Sequence, residues 1–94
     1  MSTFSSNDEI TKLRGDLQTV LDKVRLCREM LAAKAPRDET LMEVVGFLEA
    51  CRDRMLDLID AGAAGQLGED LFEICLRVND AVQRTLEAEL VSSA

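Results

Sequence analysis

The sequence contains no histidine, tryptophan or tyrosine, and only one proline and three phenylalanines. Without histidine, zinc sites that use this ligand and the commonest general base of enzymes are excluded. The cysteines at 27, 51 and 75 are odd in number and show no C-x-x-C spacing, so they predict neither a disulfide framework nor a metal motif. Each lies among apolar residues at helical spacing, and we expect all three to be buried, inert thiols.

Long apolar runs are also missing. No segment approaches the roughly 18 apolar residues that span a bilayer, and "MSTFSSNDEI" lacks the basic and apolar segments of a secretory signal. We therefore expect a cytoplasmic domain without direct membrane insertion. An enzyme is the weakest interpretation, because there is no glycine-rich phosphate loop and carboxylates at helical spacing usually form a solvated face. No catalytic residue, metal or cofactor is predicted.

The charge is negative and unevenly placed. The net charge of -7 disfavours a nucleic-acid partner. Residues 1–37 carry seven Lys/Arg against five Asp/Glu (+2), and residues 38–94 carry four against thirteen (-9). A partner of the second half should be basic, unless the acidic surface only keeps the domain in solution.

Three helical segments are predicted, separated by two breaks. "SSNDEI" places Ser6 as an N-cap with Glu9 three residues later, which is a capping box. "KAPRDET" holds the proline and "AGAAGQLGED" holds three of the five glycines. Because two short connections join helices of similar length, we expect an all-α, antiparallel up-down-up three-helix bundle over residues 8–90. Residues 1–7 are expected to be a flexible segment and residues 91–94 a C-terminal tail.

Each segment has one apolar row at 3-4 spacing, which is the expected core. The first row is Ile10, Leu13, Leu17, Val20, Val24, Cys27 and Leu31. The second is Leu41, Val44, Leu48, Cys51, Met55 and Leu58, widened by Val45 and Ile59. The third is Leu67, Leu71, Ile74, Val78, Ala81 and Thr85, with Cys75 and Val82 beside it.

Several large apolar residues fall outside these rows. At about 100° per residue, Leu26 and Met30 lie roughly 150° and 110° from the centre of the first row, one turn apart. The third helix repeats this arrangement with Phe72 and Leu76, and Asp80 and Gln83 continue the same outer row. Repeated apolar pairs of this kind are typical of a binding surface. The alternatives are coverage by an N-terminal segment containing Phe4, self-association, or no role.

Three stretches together, "NDEITKLRGDLQTVLDKVRLCREMLA", "FLEACRDRMLDLID" and "LGEDLFEICLRVNDAVQ", resemble the GAT domain of the GGA and target-of-Myb adaptor families over roughly residues 8–90. The most specific matches are Val24, Arg25, Glu29, Met30 and Leu31 in the first stretch and Val78, Asn79 and Asp80, preceded by Leu76, in the third.

The resemblance implies a ubiquitin-binding module of sorting adaptors on endosomal and trans-Golgi membranes, which in relatives also binds rabaptin or Tollip. It implies two ubiquitin surfaces, one on the first helix and one on the third. With Gln83 added from the periodicity, the expected partner-binding residues are Leu26, Met30, Phe72, Leu76, Asp80 and Gln83. At the position of Phe72 the family usually has an aliphatic residue, and the loop "KAPRDET" is shorter than in many relatives. Arf binding is not expected, because the upstream segment that supports it is missing, and the chain resembles an excised domain.

Ubiquitin presents a shallow apolar patch ringed by basic side chains, so the acidic third-helix surface should bind it more tightly than the first-helix surface, which is flanked by Lys23, Arg25 and Arg28. The alternative is a helical interaction scaffold that binds Tollip-like or rabaptin-like segments, or a second copy of itself, without binding ubiquitin.

Overall fold

The computed structural model describes residues 7–93, which form three helices: α1 (Asn7–Ala32), α2 (Glu39–Ala63) and α3 (Glu69–Ser93). Each helix packs against the other two, and the described residues contain no strand. The predicted all-α three-helix bundle is therefore confirmed. The predictions for Ser6 as a cap and for Phe4 as a cover lie outside the described residues.

The directions of the helices follow from contacts near their ends. Ile10 near the start of α1 lines the same surface hollow as Leu67 and Leu71, where α3 begins. Gly62, in the last turn of α2, instead packs against Phe72 in the first turn of α3. Hence α1 and α3 run in the same direction and α2 runs against both, giving an up-down-up bundle of 46 × 21 × 18 Å.

Both connections begin with a residue in the left-handed region that closes the preceding helix. After α1, Lys34 has φ 53° and the N–H of Ala35 donates to the carbonyl of Met30 at 2.9 Å. After α2, Gly65 takes the same position with φ 82°. These are Schellman-type ends, in which backbone donors satisfy the last helical carbonyls. The two helix breaks that the proline and the glycines predicted thus coincide with the ends of α1 and α2.

The start of α2 has a side-chain cap that the sequence pattern did not single out. Asp38 lies in an extended conformation, and its Oδ1 accepts the backbone N–H of Leu41 at 3.1 Å. Because the first N–H groups of a helix have no intrahelical partner, a carboxylate at this position fixes where α2 begins.

The buried apolar residues form one core that runs along the bundle. From α1 they are Leu13, Leu17, Val20, Val24 and Cys27; from α2, Leu41, Val44, Val45, Leu48, Met55 and Leu58; from α3 and the preceding loop, Leu67, Leu71, Cys75, Val78, Val82 and Leu86.

The core row of α3 is rotated from the predicted one. Ile74 and Ala81 are only half-buried, whereas Leu86 and Glu89 are buried. Cys75 and Val82, which lie beside the predicted row, are fully buried, so the inward side of α3 is turned toward them from its second turn onward.

Two further expectations need correction. Cys51 is half-buried rather than buried, while Cys27 and Cys75 are fully buried. Residues 91–93, expected to be a tail, form the last turn of α3, and the hydroxyl of Ser93 donates to the carbonyl of Leu90 at 2.9 Å.

Candidate functional site

The first candidate surface, called here the α1–α2 face, consists of Lys23, Leu26, Met30 and Phe47. The ammonium group of Lys23 lies 5.7 Å from the centroid of the Phe47 ring, which places this side of α1 against α2. Leu26 is 39% exposed and Phe47 is 37% exposed. Met30, expected to lie outside, is half-buried and packs against the core. The apolar area of this face is therefore smaller than the sequence pattern predicted.

The second candidate surface, called the α2–α3 face, includes Phe72, Leu76, Gln83 and Leu90 of α3. The ring of Phe72 packs so closely on Gly62 that a Cβ at position 62 would overlap it. Phe72 is therefore half-buried, not an outer residue as expected. Leu76, one turn later, is 43% exposed, and Leu90 is 66% exposed.

The α2 side of this face is marked by Arg52 and Leu56. Arg52 lines a surface hollow together with Gln83, Glu87 and Leu90 of α3. Leu56 lies one turn after Arg52 on the same side of α2 and is 51% exposed. The α2–α3 face thus carries exposed leucines from both helices.

The polar candidates of α3 are exposed and have partners on their own helix. Oδ2 of Asp80 lies 2.9 Å from Nε of Arg84. The side-chain amide of Gln83 donates to Oδ1 of Asn79 at 3.5 Å. Phe72, Leu76 and Gln83 are brought together on the α2 side of α3, with Asp80 at the edge of this side. The first-helix pair lies on the separate α1–α2 face.

Three exposed apolar residues of these faces were not among the expected partner-binding residues: Phe47, Leu56 and Leu90. A signal for Leu90 was present, because Leu76, Gln83 and Leu90 recur at seven-residue spacing along α3. A signal for Leu56 was also present, since it lies about 100° from the centre of the α2 core row.

A polar cluster lies where the end of α1, the first loop and the end of α3 meet. The side chain of Glu89 is nearly buried, and its Oε1 lies 2.5 Å from Nη2 of Arg37 in the loop. Nε of Arg28 donates to the hydroxyl of Thr85 at 2.8 Å. Burial raises the pKa of the neighbouring Cys27 thiol, and the Glu89 carboxylate adds to the rise, while Arg28 partly opposes it. These contacts fasten the first loop and α1 to α3.

The other two thiols are also held in the protonated form. Burial raises the pKa of both Cys51 and Cys75, and Arg54 partly offsets the rise at Cys75. A raised pKa lowers the fraction of reactive thiolate at neutral pH. Within residues 7–93, no group of three or more Cys, Asp or Glu side chains is arranged to hold a metal ion. No helix in the same range has the length and apolar content needed to cross a membrane.

Comparison of the chain with protein-family models, with curated proteins and with solved structures finds no match. The resemblance to GAT domains therefore rests on the quoted residues alone, and the function is argued from the two faces.

Proposed function

We propose that this bundle is a non-enzymatic interaction domain that binds ubiquitin, with its stronger contact on the α2–α3 face. The observation that carries the proposal is the exposure of Leu56, Leu76 and Leu90 beside a core that is already closed. Contact of large apolar side chains with water is unfavourable, and covering them with a partner lowers the free energy. Groups of such side chains on a surface are typical of interfaces.

Charge on the α2–α3 face supports a basic partner. Asp80 and Glu87 follow Leu76 along the outer side of α3, and Asp53 and Asp60 flank Leu56 on α2. Ubiquitin's apolar patch, ringed by basic side chains, complements leucines bordered by carboxylates. The existing pair between Asp80 and Arg84 is exposed, and such i, i+4 pairs contribute only about 0.3–0.5 kcal/mol, so the carboxylate remains available to a ligand cation.

The α1–α2 face should bind ubiquitin more weakly. Lys23 covers part of the Phe47 ring and brings a positive charge next to Leu26. Met30 already contributes much of its surface to the core. Each contact should bury less than about 1,200 Å², so both sites should be weak and reversible. Weak sites gain avidity where several ubiquitins or several adaptors are presented together.

The corresponding setting is the cytoplasmic side of endosomal or trans-Golgi membranes, with the domain peripheral to the membrane as part of a sorting adaptor.

One observation also favours the second candidate function, a scaffold for a partner helix. Leu76, Gln83 and Leu90 span about 21 Å along one side of α3. A row of this length fits a Tollip-like or rabaptin-like helical segment, which would compete with ubiquitin for the α2–α3 face.

The test is a two-dimensional NMR titration of the labelled domain with unlabelled ubiquitin, repeated with the Leu76→Asp variant. Saturable shifts should centre on Phe72, Leu76 and Gln83, and Leu76→Asp should weaken binding by about tenfold or more, because a carboxylate replaces a buried apolar contact. Val91→Asp is the matched control: it adds the same charge to another exposed apolar residue of α3 outside both faces and should leave affinity unchanged.

Absence of shifts at millimolar ubiquitin would refute ubiquitin binding. Sedimentation of the domain at high micromolar concentration then separates the remaining alternatives. A dimer that Leu76→Asp dissociates would identify the α2–α3 face as a self-association surface, whereas a monomer would direct the search to partner helices.

A further inference from the structure

One hollow of the surface belongs to neither of the two faces described above. It lies where α1 ends, α2 begins and α3 ends, so all three helices contribute to it. Its volume of about 400 Å³ is within the range of about 300–1,000 Å³ that is typical of small-molecule pockets. We call it the end hollow and define it by its lining residues: Leu31, Lys34, Ala35, Arg37, Leu41 and Ser92.

The lining of the end hollow is divided into an apolar floor and a polar rim. The floor consists of the buried or half-buried residues Leu31, Ala35 and Leu41. The rim consists of Lys34, Arg37 and Ser92, which are exposed and supply two cations and a hydroxyl group. Ligand pockets commonly combine an apolar surface with a few polar groups that orient the ligand.

Arg37 is held in place with part of its guanidinium group unused. Its Nη2 lies 2.5 Å from Oε1 of Glu89, which is 5% exposed, and donates to the sulfur of Met42 at 3.4 Å. Within residues 7–93, the contacts of this side chain use only Nη2. Because Nε and Nη1 also carry hydrogens, Arg37 can keep both contacts and still donate to a ligand.

Lys34 occupies a backbone position at which glycine is the usual residue. Its φ of 53° lies in the left-handed region, and Gly65 takes the corresponding position after α2 with φ 82°. Other residues adopt this conformation at a cost, and such positions cluster at ligand sites. The ammonium group of Lys34 forms no ion pair with any carboxylate of residues 7–93. Its charge is therefore open to a ligand.

The charges at the end hollow leave one positive charge unmatched. Lys34 and Arg37 are two cations, and the carboxylate of Glu89 balances one of them. The neighbouring Asp38 caps α2 by accepting the backbone N–H of Leu41, and the positive end of that helix offsets its charge. A monoanion thus restores the balance, whereas a dianion would bring excess negative charge next to Glu89.

We propose that the end hollow binds a small molecule that has one carboxylate group and an apolar body. The carboxylate accepts hydrogen bonds from Lys34 and from the unused donors of Arg37. The apolar body packs on Leu31 and Leu41, which removes apolar surface from water. None of the lining residues belongs to the α1–α2 face or the α2–α3 face, so this proposal stands independently of ubiquitin binding.

The experiment is a two-dimensional NMR titration of the labelled 94-residue chain with octanoate. Saturable shifts should centre on Leu31, Ala35 and Ser92, and the affinity should fall as salt increases. Octan-1-ol has the same apolar body without the charge and should bind about tenfold more weakly. Equal affinity for the alcohol, no saturable shifts with octanoate, or shifts centred on the exposed leucines of the α2–α3 face would each overturn the proposal.

The variant that tests the charge is Lys34→Gln, which should weaken octanoate binding by about tenfold. Lys12→Gln is the matched control, because it removes the same charge from another exposed lysine, within α1 and outside the end hollow. The control should keep its affinity. Equal loss in the two variants would overturn the proposal, since octanoate would then sense only the overall charge.

Lys34→Gly separates a ligand role of this lysine from a role in folding. Glycine adopts φ 53° without steric cost, so the Tm of this variant should not fall. Octanoate binding should weaken as it does in Lys34→Gln. Retained binding would overturn the proposal. A loss of binding together with a Tm lower by several degrees would also overturn it, because Lys34 would then serve the end of α1 rather than a ligand.

Discussion

Replacement of Gly62 by alanine should destabilise the domain, even though alanine is the better helix former. A Cβ at this position would overlap the ring of Phe72, so the ring must rotate away or α2 and α3 must separate. Gly46 is a matched control within the same helix. A Cβ there would meet no side chain of the described residues within 4 Å.

The expected magnitudes separate the two variants. In a helix interior, alanine is favoured over glycine by up to about 1 kcal/mol. Gly46→Ala should therefore raise the free energy of unfolding by about 0.5–1 kcal/mol. At Gly62 the same gain is smaller, because the residue lies in the last turn, and overpacking costs about 1–3 kcal/mol. The two variants should differ by about 1–4 kcal/mol, or at least about 4 °C in Tm for a domain of this size.

Thermal and urea unfolding followed by circular dichroism measures this difference. Adding Phe72→Leu to Gly62→Ala should recover part of the loss, because the leucine side chain lacks the ring atoms that meet the new methyl group. Equal Tm values for Gly62→Ala and Gly46→Ala would refute the packing of Phe72 on Gly62. The Gly62→Ala variant should also weaken ubiquitin binding, since Phe72 supports the α2–α3 face.

Three further predictions concern the buried polar and thiol groups. Arg37→Ala should lower the free energy of unfolding by about 1–3 kcal/mol, because the Glu89 carboxylate, which is 5% exposed, loses its cation. Urea unfolding measures this loss. Full stability of the variant would contradict it and show that water replaces the ion pair without cost. Half-buried Cys51 should react with a thiol reagent before Cys27 and Cys75. Burial raises all three thiol pKa values from 9.0, so the unfolded chain ionises first and stability should fall as pH rises past about 9, whereas a rise would contradict the burial of the thiols.

The fold could be predicted because its determinants are local: apolar spacing sets each helix, and one proline and three glycines mark the breaks. What could not be predicted depends on contacts between different helices and loops. The burial of Glu89 requires Arg37 from the first loop. Phe72 is half-buried because Gly62, which has no side chain, leaves room for the ring where α2 packs on α3.

The candidate site could be predicted only in part, because the sequence shows the angle of a residue on its own helix but not the contacts between helices. Leu26 and Leu76 were identified as outer residues by their angle on one helix, which a single segment reveals. The half-burial of Met30 was not predicted, because it depends on the packing of α1 against the rest of the core.

The up-down-up order has a mechanical consequence. Asn7 and Ser93 lie at opposite ends of a bundle 46 Å long, since α1 and α3 run in the same direction. A pulling force applied between them acts along the helix axes and loads the interhelical contacts in shear, so many contacts along the core resist together. In an up-down helix pair, whose ends are adjacent, the same force would peel contacts apart one at a time. The order of helices thus makes the bundle resist a force along its length through many contacts at once.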